Sequence, residues 1–131
     1  MTAPERSGAV YEIAIDRSRR LVRVVFGGAF WDAPLFERYR ADCLAAVVDL
    51  HCSPGEHMFL IDLTTAVVQS QEVVAAIQAF TARATARRIA FVVGTGLTGL
   101  QAKRLQVRDG VRVFADIHEA EGWLLGVEAV S

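Results

Sequence analysis

His57-Met58-Phe59-Leu60-Ile61-Asp62-Leu63, HMFLIDL, packs five large apolar residues into seven positions without alternation. A strand with one wet face alternates apolar and polar residues, whereas an unbroken short run belongs to a strand covered on both faces. Ser53-Pro54-Gly55 breaks the chain just before it, so the run cannot extend a preceding helix. Ile89-Ala90-Phe91-Val92-Val93 repeats the pattern. Strands buried on both sides occur mainly in parallel sheets, whose crossovers supply the covering helices.

The flanking sequence supplies those helices. Upstream, Leu35, Phe36, Tyr39, Cys43, Ala46, Val47 and Leu50 recur at helical spacing behind Asp32 as cap and Pro34 in the first turn. Before that helix, Tyr11–Ile15 and Leu21–Phe26 read as a hairpin turning at Asp16 to Arg20, with Gly27-Gly28 ending or bending its second strand. Downstream, a connector from Thr64 to Gln69 leads to Ser70, which caps a helix carrying Val73, Val74, Ile77 and Phe80 on its buried stripe. A helix over Leu100–Val107, a strand over Val111–Phe114 and a helix over His118–Leu125 ended by Gly126 complete the series. The order β-β-α-β-α-β-α-β-α predicts a single α/β domain over residues 11–126. Its mixed, mostly parallel sheet has about five strands and an N-terminal hairpin, with four helices and tails at 1–10 and 127–131.

Composition narrows the function. The chain of 131 residues suffices for one core, and 53% apolar residues exclude a disordered chain. A formal net charge of −1 supplies no general field for nucleic acid. Arg17-Ser18-Arg19-Arg20 and Arg87-Arg88 read as a solvated hairpin turn and a strand entrance, with an anion site as the alternative at each. The first residues lack the pattern of a signal peptide, and no segment has the length of a bilayer span, so a cytoplasmic location is expected. Two cysteines make no disulfide framework, and Cys43, His51, Cys52 and His57 lack the spacing of a zinc set. No metal or other cofactor is predicted.

Gly94-Thr95-Gly96-Leu97-Thr98-Gly99 matches the dinucleotide pattern G-x-G-x-x-G after a strand, and Asp116 ends the next strand. That fingerprint normally opens a larger unit, yet here only one strand and one helix remain to follow the loop's own helix. Local capping accounts for the letters: Thr98 caps, with Gln101 reaching back, and Asp116 caps the last helix in the same way. A P-loop is excluded because Leu100 and Gln101 follow Gly99. Gly94, Thr95, Gly96, Thr98 and Gly99 remain candidates for an anion or ligand loop through exposed amides, with Lys103 and Arg104 within reach. No serine sits in a G-x-S-x-G elbow, and an enzyme would need Asp62, Ser70, His57 or His118 to converge in one cleft. A non-enzymatic protein is expected. Trp31 and Trp123 read as packing anchors.

The stretches LVRVVFGGAFWD (21–32), FLIDLTTAVVQSQEVV (59–74), RRIAFVVG (87–94), GLQAKRLQ (99–106) and VRVFADIHEAEGWL (111–124) resemble the STAS-like proteins, relatives of bacterial anti-sigma-factor antagonists. Within that group the chain is similar to small stand-alone bacterial proteins also likened to the CRAL-TRIO lipid-binding fold. In antagonists a D-S-[ST]-G motif at a helix start carries a serine phosphorylated by a partner kinase; this chain has Gln69-Ser70-Gln71-Glu72 there, without the acid or the glycine. The resemblance implies a regulatory or protein-interaction domain working through Thr64, Thr65, Gln69, Ser70 and Gln71, with Ser70 as the phosphorylation candidate; separately, an exposed helix or edge strand would allow a homodimer. The alternative is a small-molecule or lipid binder with a pocket between sheet and helices, expected around Phe30, Trp31, Phe36 and Phe91.

Overall fold

The computed structural model describes residues 5–7, 10–94 and 97–126. Along these the chain runs β1 (Glu5–Ser7), β2 (Tyr11–Asp16), β3 (Leu21–Phe26), α1 (Ala33–Asp49), β4 (Met58–Asp62), α2 (Gln71–Arg83), β5 (Arg88–Val92), α3 (Leu97–Lys103), β6 (Val111–Phe114) and α4 (Ile117–Leu125). The strands lie in one sheet in sequence order, β1-β2-β3-β4-β5-β6. The first three pair antiparallel and the rest parallel. The expected order of elements is present, with one addition. Within the tail predicted over residues 1–10, Glu5–Ser7 pairs with Glu12–Ala14, giving six strands where about five were predicted.

Because each parallel strand is laid down beside its predecessor, right-handed crossovers place α1, α2 and α3 on the same face. Alternation along the strands then sorts the core into two layers. Val22, Val24, Phe59, Ile61, Ile89 and Phe91 point toward α1, α2 and α3, and meet residues such as Tyr39, Cys43, Ile77 and Ala102. Leu21, Met58, Leu60, Ala90 and Val92 point the other way, onto Ala120 and Leu124 of α4. This is why β4 and β5 show no polar alternation: both of their faces are covered. At the margin of α4, Arg23 of β3 pairs with Glu121 at 2.7 Å.

The caps predicted at Asp32, Ser70 and Asp116 are in place. Asp32 Oδ1 accepts from the Leu35 amide, Ser70 Oγ from the Val73 amide and Asp116 Oδ1 from the His118 amide. Gly126 ends α4 in the left-handed conformation at φ 72°.

Candidate functional site

The carboxyl ends of β3, β4 and β5 feed loops that meet around Gln69, one of the few buried polar residues, at 9% exposure. Its Oε1 accepts from the Trp31 amide at 2.9 Å, and its Nε2 donates to the carbonyls of Ala29 and Val67 at 3.0 and 3.1 Å. Its backbone is held from the opposite side. Gln101 Oε1 accepts from the Gln69 amide and Gln101 Nε2 donates to the Gln69 carbonyl, both at 2.8 Å. Gln69 therefore ties the β3–α1 loop to the β4–α2 connector, and Gln101 ties that connector to α3. This corrects the local capping box: Gln101 does not turn back on its own helix but spends its whole amide on a chain segment 32 residues away. The helix also begins earlier than Leu100, at Leu97.

Beneath this tie lies a cavity of about 60 Å³, partly open to solvent. The sheet provides Phe59, Ile61, Ile89 and Phe91; α1 provides Tyr39, α2 Ile77 and Phe80, the connector Ala66 and Val67, α3 Ala102 and the turn after it Leu105. Gln69, Gln101 and Thr81 are the polar residues on its wall. The space would hold several waters, but a wall so poor in hydrogen-bonding groups suits an apolar guest better. Of the four residues expected to line a pocket, only Phe91 does so. Trp31 is consumed in packing, stacked on Phe26 at 4.6 Å and edge-on to Tyr39 at 5.1 Å, while Phe36 packs against Phe80. Phe30 is 73% exposed. Burial raises the Tyr39 hydroxyl well above its ordinary pKa and pushes the Cys43 thiol up to about 12, so both are neutral, inert members of this layer.

The other candidates sort around this tie. Thr64 is exposed, and its amide and Oγ1 both donate to Asp62 Oδ1 at 2.9 and 2.7 Å, while Thr65 Oγ1 donates to the Phe26 carbonyl at 2.8 Å. Ser70 and Gln71 face solvent at the start of α2. Gly99 has a packing reason, because a Cβ there would stand 3.0 Å from the Gly94 carbonyl. A Cβ on Gly94 would meet the Thr64 carbonyl at 3.4 Å. The Thr95 and Gly96 candidates, and the Thr98 side chain, lie outside the described residues. Among the described residues, no group of three His, Cys, Asp or Glu side chains gathers in metal-binding geometry.

Of the residues an enzyme would bring together, His57 stands at the opposite end of β4 from Asp62. His118 is exposed at the start of α4. His57 is 2% exposed, its ring edge-on to Phe59, and its Nδ1 has no partner among the described residues. Burial lowers its pKa below the ordinary 6.5, since the imidazolium would be desolvated without a counter-charge. The unfolded chain then binds the proton more readily, so this residue favours folding above about pH 6.5 and loses that contribution as pH falls toward its lower folded value. Urea denaturation from pH 7.5 to 5 is expected to show this loss, and His57→Phe to flatten it; an equally steep curve in the variant would assign the dependence elsewhere.

No helix among the described residues is long and apolar enough to cross a membrane. No family model matches the chain, and no curated protein does. Among solved structures, the chain is similar to an uncharacterised protein of the DUF3478 family with a SpoIIAA-like fold from Shewanella loihica PV-4. The two share 17% identity over 91% of this chain and 98% of that one, with a TM-score of 0.63. With one mixed sheet, three crossover helices on one face and α4 on the other, the chain has the SpoIIAA-like, or STAS-like, α/β fold.

Proposed function

We propose that the chain is a non-catalytic binding domain whose guest is a small apolar molecule, held between the sheet and α1, α2 and α3. The cavity of about 60 Å³ carries this reading, since a close-packed core leaves few voids wider than a water. The resemblance read in the sequence to proteins likened to the CRAL-TRIO lipid-binding fold implies such a guest, and roughly two or three carbons of an alkyl or acyl chain fit the enclosed space, the rest leaving through its open side. The regulatory reading attaches to the same connector. Ala66, Val67 and Gln69 face the cavity, while Thr64, Thr65, Ser70 and Gln71 form its solvent side, so a guest bears on the surface a protein partner would contact. Phosphate on Ser70 would gain from the α2 N-terminus and be opposed by Glu72.

Native mass spectrometry of gently purified protein, set against its denatured intact mass, tests both parts. A noncovalent adduct lost on denaturation supports the guest, and a covalent phosphate supports the Ser70 switch. Ala102→Leu, which pushes a branched side chain into the cavity, is expected to abolish the adduct and the binding of octanoate. The same change should leave stability unchanged or raise it by about 0.5–1 kcal/mol, as cavity-filling substitutions do. Octanoate binding that survives this substitution would remove the cavity from the function, as would absence of both adduct and octanoate binding in the parent chain.

A further inference from the structure

The opposite end of the sheet holds a second arrangement. The segments at the amino ends of the parallel strands, 16–20, 49–57, 83–88 and 103–112, carry ten of the chain's fourteen Lys and Arg but four of its fifteen Asp and Glu. A net charge near zero conceals this segregation. Four of these cations have visible structural work. Arg17 Nε donates to the Asp49 carbonyl, Arg108 reaches the carbonyls of Thr81 and Ala86, and Arg88 bonds the Trp123 carbonyl. Arg88 and Arg112 also lie over the Trp123 ring at 4.9 and 5.4 Å.

Arg20 and Arg87 are different. The two basic clusters they belong to are far apart in sequence, yet both line one open groove of about 400 Å³ together with Arg19, Glu56 and Met58. Met58 links them: its amide donates to the Arg20 carbonyl at 2.9 Å, and its sulfur accepts from Arg87 Nη2 at 3.5 Å. Both arginines are exposed, and neither has a carboxylate partner among the described residues. Arg19 is loosely paired with Asp16 at 3.8 Å, and the groove's one carboxylate, Glu56, accepts from the Ser53 amide. Arg20 is moreover held at φ 55°, a left-handed position where Gly or Asn would be less strained. Strain of this kind gathers at functional sites.

We infer that this groove binds a phosphate group, clamped between the guanidinium groups of Arg20 and Arg87 with Arg19 as the third cation. Guanidinium matches phosphate through paired N–H donors and stays charged at any working pH, which suits a site built from arginines. The phosphate comes from a soluble ester or from a lipid headgroup, and the chemistry at the groove is the same for both.

The test is titration of the full chain with inorganic phosphate at low ionic strength, followed by NMR, with sodium chloride at equal ionic strength as control. Signals of Arg20, Met58 and Arg87 are expected to shift saturably, and Arg20→Gln or Arg87→Gln to weaken binding about tenfold each, the loss expected for one charged hydrogen-bonding partner. Arg40→Gln, which breaks the exposed pair with Glu37, should leave binding unchanged. Sedimentation with phosphatidylcholine vesicles, with and without phosphatidic acid, separates the sources. Co-sedimentation that needs phosphatidic acid and both arginines assigns a lipid headgroup, and phosphate binding without co-sedimentation assigns a soluble ester. Absence of saturable shifts, or shifts that persist in Arg20→Gln/Arg87→Gln, would overturn the site.

Discussion

Phe91→Ala is expected to destabilise the protein by about 3–5 kcal/mol, the range for removing a large ring from a well-packed core. Phe91 is 1% exposed, stands opposite Ile61 on β4 and Val113 on β6, and forms part of the cavity wall. Removing the ring joins its volume to the space already present. The variant should therefore do two things at once: unfold at lower urea, and recover part of that loss when benzene is added, because a guest that binds only the folded state stabilises by mass action. Urea titrations with and without benzene measure both. A loss under about 1 kcal/mol would mean that the ring is not packed as described. A normal loss with no benzene response would mean that the enlarged space collapses.

Gln69→Leu follows, at about 2–3 kcal/mol, because buried groups that lose their partners bear the desolvation cost directly. The change strands the Trp31 amide and the carbonyls of Ala29 and Val67, while the bonds from Gln101 go to the backbone of residue 69 and persist. Gln69→Glu is the sharper probe. It keeps an acceptor for Trp31 but turns a carboxylate toward two carbonyls, so it should match the leucine variant at neutral pH and improve as the carboxyl protonates. Hydrogen exchange should rise in residues 27–32 and 63–70 before it rises in the strands. A glutamate variant as stable as the parent at neutral pH would show that the side chain is not buried among those carbonyls.

These two residues also mark how far the fold and site were legible in the chain. Phe91 was readable as a core position because a strand covered on both faces must be apolar throughout. The caps at Asp32, Ser70 and Asp116 followed from short-range chemistry, and so did the order of elements. The strand Glu5–Ser7 was not readable: three polar residues at a sheet edge carry no apolar signal. Gln101 sat at the right spacing for a capping box, but its actual bonds span 32 residues, and spacing is blind to a partner chosen by topology. A pocket between sheet and helices was expected, but its actual lining was hidden for another reason. Its wall is made of the same residue types as the core, and a void arises from how layers fail to meet. The phosphate groove combines both difficulties, since only the pairing of β3 with β4 and β4 with β5 brings Arg20 and Arg87 to one place.

The sheet's sequential order carries a consequence for how the molecule is made. During synthesis on the ribosome, each strand from β2 to β6 emerges after the neighbour it must pair with, and none has to wait for a later segment or be inserted between two already joined. The growing edge stays a single strand that the next crossover extends, so beyond the β1 edge, which the finished sheet keeps, an unfinished chain presents one growing edge rather than a gap in its middle. Long-lived unpaired edges invite association between nascent chains. An architecture that adds strands only at its margin keeps that exposure brief.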